Sequence, residues 1–332
     1  MAKFKAFTSI WNTPNPKVGQ TPKTSIWKKN KATVWYYPAK EKKYKTPLLL
    51  IYSLVSKPYI LDLSPETSMI QAFNHKGYDV YLLDFGVPGY EDKDLTLDDY
   101  IHSYIQKAVQ HTLRHSKSND LTIVGYCLGG TLGTIYAAIA KEPVKNLILF
   151  VTPIDFKKLP INQEIRKLLN DERKNIEKLI DQYGIIPAMF IDKAVKLVTS
   201  PLPITPYLAL YEHSTDKQYV ERWRRFNHWA RDHIPFVGAT LKQLIDLVLD
   251  NQLTQNKLLI NNERVNLSNI HANLLVISTS DDELVPEELT APIMDLVSSK
   301  DKTYKKVKGG HATLAVKGYL PEVLEKWLEK RS

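Results

Sequence analysis

The residues best suited to chemistry are a lone cysteine and its setting. Cys127, the only cysteine among 332 residues, stands in Gly125-Tyr126-Cys127-Leu128-Gly129. A β-branched run, 121–124, precedes it, and a small and apolar run, 128–140, follows. That order predicts a strand, a sharp turn and a helix, with the thiol at the apex: a nucleophile elbow. Gly125 and Gly129 fall where side chains would obstruct the close approach of strand and helix. The helix N-terminus beneath the thiol favours its anionic form. The same spacing suits a buried, inert cysteine packed as a small hydrophobe. Chemistry therefore requires a base, an acid and oxyanion donors elsewhere in the chain.

The chain supplies candidates in order. Asp282 follows the apolar run 273–277, within Ser280-Asp281-Asp282-Glu283-Leu284-Val285-Pro286, where Asp281 and Glu283 compete for the role. His311 lies in Gly309-Gly310-His311-Ala312, after a short strand-like segment, 304–307. Nucleophile, acid, histidine is the chain order of α/β-hydrolases. An imidazole beside a thiol can take its proton and hold a thiolate–imidazolium pair. An aspartate behind the ring fixes its tautomer and stabilises its charge. The expected oxyanion donors are the backbone N–H of Leu128 and that of Val55, in the loop after the apolar run 48–52. No pair among the other histidines has metal-ligand spacing, so no metal is expected. His228 and His233, which flank Trp229, are expected to pack or face solvent.

The elements that must position these groups follow from periodicity. Segments 33–37, 48–52, 78–84, 121–124 and 146–151 predict strands, and 65–76, 97–113 and 320–328 carry helical stripes. Alternating strands and helices predict a mostly parallel sheet covered on both faces. Chemistry in such sheets collects at the strands' carboxyl ends, where Cys127, loop 53–57, Asp282 and His311 all fall. Between 156 and 265 the rhythm breaks. Segment 163–183 predicts one amphipathic helix, 185–208 is apolar and interrupted by Pro187, Pro201, Pro203 and Pro206, 220–234 is aromatic and basic, and 241–253 predicts a helix. No strand pattern shows there. The expected division is a core of 31–155 and 266–332, a helical cap of 156–265 and a basic arm of 1–30. The arm, with six lysines and no acid, is expected to be extended and partly docked through Phe4, Trp11 and Trp27.

Composition bounds the rest. With 43% hydrophobic and 24% charged residues, the chain reads as a soluble globular protein with a sizeable core. A net charge of +9 suits an anionic partner. The lysines are spread and no nucleic-acid motif occurs, which argues against nucleic acid. One cysteine forbids an internal disulfide. The first residues lack the apolar stretch of a secretory signal, and the longest apolar runs are too short to span a bilayer. The expected address is the cytoplasm.

Taken together, these segments resemble the catalytic subunit of polyhydroxyalkanoate (PHA) synthases, specifically the short two-subunit types, class III and class IV. The resemblance runs from about Val18 onward. It is carried by residues 46–63 (TPLLLIYSLVSKPYILDL), 77–86 (GYDVYLLDFG), 95–101 (LTLDDYI), the elbow 125–131 (GYCLGGT), 151–156 (VTPIDF) and segment 229–238. It implies an α/β-hydrolase fold with an inserted cap, and polymerisation of (R)-3-hydroxyacyl-CoA into polyester with release of coenzyme A. Cys127 would carry the growing chain as a thioester, His311 would be the general base, and the aspartate would be Asp282. It further implies no cofactor beyond the thioester substrate, an accessory synthase subunit, a homodimer or hetero-oligomer, and a place at the surface of PHA granules. The chain departs from the family's common pattern at Glu283, where histidine is frequent, and at Ser56, where asparagine is. Two other readings suit the same residues: an acyl-CoA thioesterase that admits water to the acyl-cysteine, and a non-catalytic granule scaffold, against which a complete triad argues. The cap's Arg222, Arg224, Arg225 and Arg231 either meet coenzyme A phosphates or form a solvated face.

Overall fold

A computed structural model of the chain describes residues 2–159, 161, 163–198 and 204–332. Its centre is one eight-stranded sheet. The strands are β1 (Thr24–Lys29), β2 (Ala32–Tyr37), β3 (Leu48–Ile51), β4 (Val80–Asp84), β5 (Leu121–Tyr126), β6 (Val144–Phe150), β7 (Asn273–Thr279) and β8 (Lys302–Val307). Their spatial order is β1-β2-β4-β3-β5-β6-β7-β8. β1, β2 and β4 pair antiparallel, and every pairing from β4 to β8 is parallel. β3 and β5 are buried along their whole length, as unbroken apolar runs covered on both faces must be. Alternate side chains part to two cores: Leu49, Ile51, Ile123 and Leu147 enter one, and Leu48, Leu50, Val124 and Ile148 the other. The elbow helix, Leu128–Ile139, packs through Leu132 and Ile135 in the first core. The last helix, Glu322–Glu329, sends Leu324, Trp327 and Leu328 into the second.

Several local expectations need correction. Segment 97–113 forms a π-helix, Asp99–Ile105, running into an α-helix, Gln106–Ser116. Its buried residues recur every four positions, at 97, 101, 105 and 109 and at 100, 104 and 108. A 3.6-residue turn would rotate that stripe off the core, and a wider turn keeps it facing inward. Segment 163–183 breaks at Glu172 into Gln163–Asp171 and Arg173–Tyr183. The arm is not wholly extended. It opens with helix Ala2–Ser9 and ends in β1, so the boundary at 30 cuts a hairpin. It docks through Phe7 on Tyr211 (5.6 Å between ring centroids), Trp11 on Trp223 (5.8 Å) and Trp27 on the core, whereas Phe4 is 63% exposed.

The inserted segment is mainly helical, with a two-residue antiparallel pairing of Ile185–Ile186 and Phe236–Val237. Leu259–Ile260 pairs likewise with Glu263–Arg264. Neither is long enough to show alternation. Pro201 and Pro203 lie outside the described residues. Helix Gly238–Leu249 and the turns after it send Leu244, Leu247, Leu253, Leu258, Ile260 and Val265 into the first core, alongside the elbow helix. The sheet's two edges, β1 and β8, carry Lys28 and Lys29, and Lys302, Lys305 and Lys306. No helix among the described residues is long and apolar enough to cross a membrane.

Candidate active site

The elbow is built by glycine. A Cβ on Gly125 would collide with Gly130 Cα, and one on Gly129 would meet the backbone carbonyls of Ile51 and Tyr52. The end of β3 is thereby pressed against the first turn of the elbow helix. Cys127 itself sits at φ 51°, ψ −129°, a strained conformation for a residue with a side chain. It is held there by its N–H donating to Phe150 O (3.0 Å) and its C=O accepting from Gly130 N (2.8 Å). Gly129→Ala is expected to lower stability by about 2–4 kcal/mol and to displace the loop after β3. Thermal unfolding of the purified variant would check this.

Asp282 and His311 arrive from β7 and β8. The Asp282 side chain is wholly buried. Its Oδ1 accepts from Leu284 N (3.0 Å) and Val285 N (2.8 Å), and its Oδ2 lies 2.8 Å from His311 Nδ1. That partner places the ring proton on Nδ1 and leaves Nε2 for the sulfur. Asp281 and Glu283 are exposed, so burial and bonding separate Asp282 from its neighbours. The His311 carbonyl accepts from Tyr126 OH at 2.6 Å, which ties the histidine loop to the elbow strand. Burial is the largest influence on the His311 ring and pulls its pKa down. The negative charge of Cys127, hydrogen bonds to Asp282 and to Cys127, and the charge of Asp282 together outweigh it and raise the pKa to about 10. The ring is therefore cationic at neutral pH when paired with a thiolate.

Of the two oxyanion candidates, Leu128 opens the elbow helix, so its N–H has no partner within that helix. Val55 is different. Its N–H already donates to Ser53 Oγ (3.2 Å), and its carbonyl accepts from Ile234 N (3.3 Å). The loop after β3 is in fact stitched to the cap. Ser56 forms a β-bridge with His233, Trp229 Nε1 donates to Lys57 O (3.1 Å), and Asp232 binds both Lys57 Nζ (2.9 Å) and Tyr59 OH (2.9 Å). A cavity of about 630 Å³ lies under this seam, walled by Ser56, Phe226, Trp229, His233, His311 and Val316 among others. His233 thus faces the cavity. Its pKa is lowered, mainly by burial. Tyr126, Ser53 and Asp232 are contributors that the sequence does not single out. Asp232 and Tyr59 are far apart in the chain and show no local pattern. Among the described residues, no group of three or more His, Cys, Asp or Glu side chains is placed to hold a metal.

The strand order, the elbow and the acid–histidine pair define an α/β-hydrolase fold with cysteine at the elbow. The alpha/beta hydrolase fold family matches residues 46–317. A soluble variant of Saccharomyces cerevisiae monoglyceride lipase shares the fold at TM-score 0.59 and 16% identity, over 96% of this chain and 99% of that one. Paleococcus ferrophilus monoacylglycerol lipase does so at TM-score 0.56 and 14% identity, over 91% and 100%. Closer likeness lies elsewhere. Residues 16–73 match the family described as the N-terminus of poly-beta-hydroxybutyrate polymerase (PhaC). The poly(3-hydroxyalkanoate) polymerase subunit PhaC of Allochromatium vinosum is 30% identical over 94% of this chain and 90% of its own length. That of Haloferax mediterranei is 34% identical over 95% of this chain, which spans only 65% of that protein. The chain belongs to the poly(3-hydroxyalkanoate) polymerase PhaC family.

Proposed function

We propose that the chain is the catalytic subunit of a PHA synthase, joining (R)-3-hydroxyacyl units from coenzyme A thioesters into polyester through acyl-Cys127. The observation that carries this reading is the Cys127–His311–Asp282 constellation beneath a cap, in a chain of the PhaC family. His311 takes the Cys127 proton, and the thiolate attacks the thioester carbonyl. The oxyanion forms against the Leu128 N–H, and the carbon–sulfur bond to coenzyme A breaks. The departing sulfur leaves with the proton from His311. Thioester for thioester changes the free energy little, so the acyl group stays activated. His311 then takes the proton of an incoming 3-hydroxyl, whose oxygen attacks the acyl-cysteine, and the Cys127 thiol is regenerated as the new ester forms. Polymerisation over hydrolysis requires that water be kept from the acyl-enzyme, and the seam between the cap and the loop after β3 supports that reading. Coenzyme A enters as part of the substrate, and no further cofactor is needed. An accessory subunit and the granule surface belong to the same reading.

The test is coenzyme A release from 3-hydroxybutyryl-CoA by the purified chain, alone and with its partner subunit. Release with insoluble polyester is the expected result. Release with free 3-hydroxybutyrate alone would replace the proposal with a thioesterase. Unchanged behaviour of Cys127→Ala would replace it with a scaffold.

A further inference from the structure

Helix Lys217–Ala230 is the cap element that runs away from the reaction centre. Trp229, Ala230 and Phe226 wall the cavity at His311. Phe226 and Val316 also wall a second cavity, of about 470 Å³, which Trp223, Arg222, Arg225 and Lys317 complete on the far side. The two cavities therefore share a wall. Along the helix, positions 229, 226, 222 and 219 fall on one face at spacings of three and four, which makes that face a track. From Ala230 to Arg222 the track covers roughly 12 Å and to Gln218 roughly 18 Å, at the rise of an α-helix.

The charges along the track are not those of an ordinary solvated face. Arg224 is tied to Glu221 (2.7 Å) and to Pro14 O, and Arg231 to Tyr207 OH (2.9 Å). Arg224 thus ties the cap to the arm, and Arg231 ties two cap helices together. Arg222 makes no ion pair among the described residues, and Lys317 lies over the Tyr319 ring (5.7 Å) with no carboxylate partner. Arg225 reaches Glu221 only at 3.7 Å, and its Nε is buried with no hydrogen-bond partner. Glu66 is the one acid in the second cavity, against three cations. A continuation of the groove past Arg222 and Arg225 adds Lys217 with Glu221.

We infer that this second cavity is the seat of the 3′-phosphoadenosine diphosphate end of the coenzyme A thioester, with Arg222, Arg225 and Lys317 meeting its phosphates. The inference rests on the proposed thioester chemistry and names where the carrier half of that substrate lies. The pantetheine arm, about as long as four extended residues and so roughly 14 Å, spans the track from the sulfur to the diphosphate. Phe226, at 40% exposed, is the apolar surface along which its dimethyl group passes. Arg222 and Lys317, without an ion-pair partner among the described residues, and Arg225, only loosely held by Glu221 at 3.7 Å, stand around an apolar floor, as a nucleotide phosphate requires.

The experiment compares the wild-type chain with the double variant Arg222→Glu/Lys317→Glu. The two sites are on different elements, and both side chains reach solvent. Calorimetry measures coenzyme A binding directly. Kinetics compares 3-hydroxybutyryl-CoA with 3-hydroxybutyryl-pantetheine, which lacks the nucleotide. The double variant should bind coenzyme A about tenfold more weakly, and its preference in kcat/KM for the coenzyme A thioester over the pantetheine thioester should fall by a similar factor. Lys326→Glu, on the last helix, should alter neither. Unchanged coenzyme A affinity, or an equal loss on both thioesters, would overturn the inference. Failure of the wild-type chain to turn over either thioester would instead strike at the proposed function, with the calorimetric result still standing on its own.

Discussion

Cys127→Ala is expected to abolish coenzyme A release and polymer formation, with a fall of roughly 10⁴-fold or more in kcat, while the fold survives. The loss is this large because no other group can hold the acyl chain: Cys127 is the only thiol, and its strained backbone aims one side chain at His311. Alanine fits the elbow at the same φ and ψ with no added bulk, so thermal unfolding should shift little. A second readout reports on the pair itself. His311 is raised to about 10, with Cys127 supplying both a charge and a hydrogen bond. Removing the thiol leaves Asp282 alone against burial, so the imidazole should titrate at lower pH. The NMR signal of its ring protons would show this. In the wild-type chain the cationic ring persists below about pH 10 and is lost above it, so activity should decline on that alkaline limb. An unmoved His311 titration in Cys127→Ala would mean that the two side chains do not form a pair.

Asp282→Asn is expected to have the second large effect, a loss of about 10⁴-fold in kcat. The carboxylate has a divided task. Oδ1 is occupied by Leu284 and Val285 N–H groups, and Oδ2 accepts from His311 Nδ1. An asparagine must keep its oxygen on the two backbone donors, which turns its NH₂ toward the ring. His311 Nδ1 then becomes an acceptor, its proton moves to Nε2, and Nε2 can no longer take a proton from the thiol. The variant should fold, since the backbone bonds remain, and single-turnover acylation of Cys127 should slow as much as steady-state release. Activity within tenfold of wild type would show that the acid is dispensable and that His311 is oriented by other means, such as the Tyr126 bond to its carbonyl.

The elbow was legible because its demands are local. Glycines two residues either side of a cysteine, between a β-branched run and a small-residue helix, state a close approach that the structure then realises at Ile51 and Tyr52. The sheet was legible for a similar reason, since β3 and β5 are continuous apolar runs. Asp282 could be placed in its loop, but choosing it over Asp281 and Glu283 required burial, which adjacent acids in a turn do not encode. β1 was missed because an exposed edge strand has no apolar alternation to read. The π-turns near Tyr100 left a trace, a four-residue recurrence, that a 3.6-residue reading averages away. The seam between loop 53–59 and the cap left none. Val55 is an oxyanion candidate by position, yet its N–H turns to the Ser53 hydroxyl two residues back and its carbonyl to Ile234 of the cap.

The lysines at the sheet's rims give the positive charge a meaning apart from substrate. An open sheet ends in rows of unpaired backbone donors and acceptors, and an identical copy offers the matching row. Here one rim ends in Lys28 and Lys29 and the other carries Lys302 and Lys305, with Lys306 paired to Glu287 (2.6 Å), so a rim-to-rim meeting of two molecules brings ammonium groups toward ammonium groups. Strand-by-strand stacking into fibres is thereby opposed at both ends of the sheet. The protection is electrostatic, so it weakens in concentrated salt and disappears wherever those amines lose their charge.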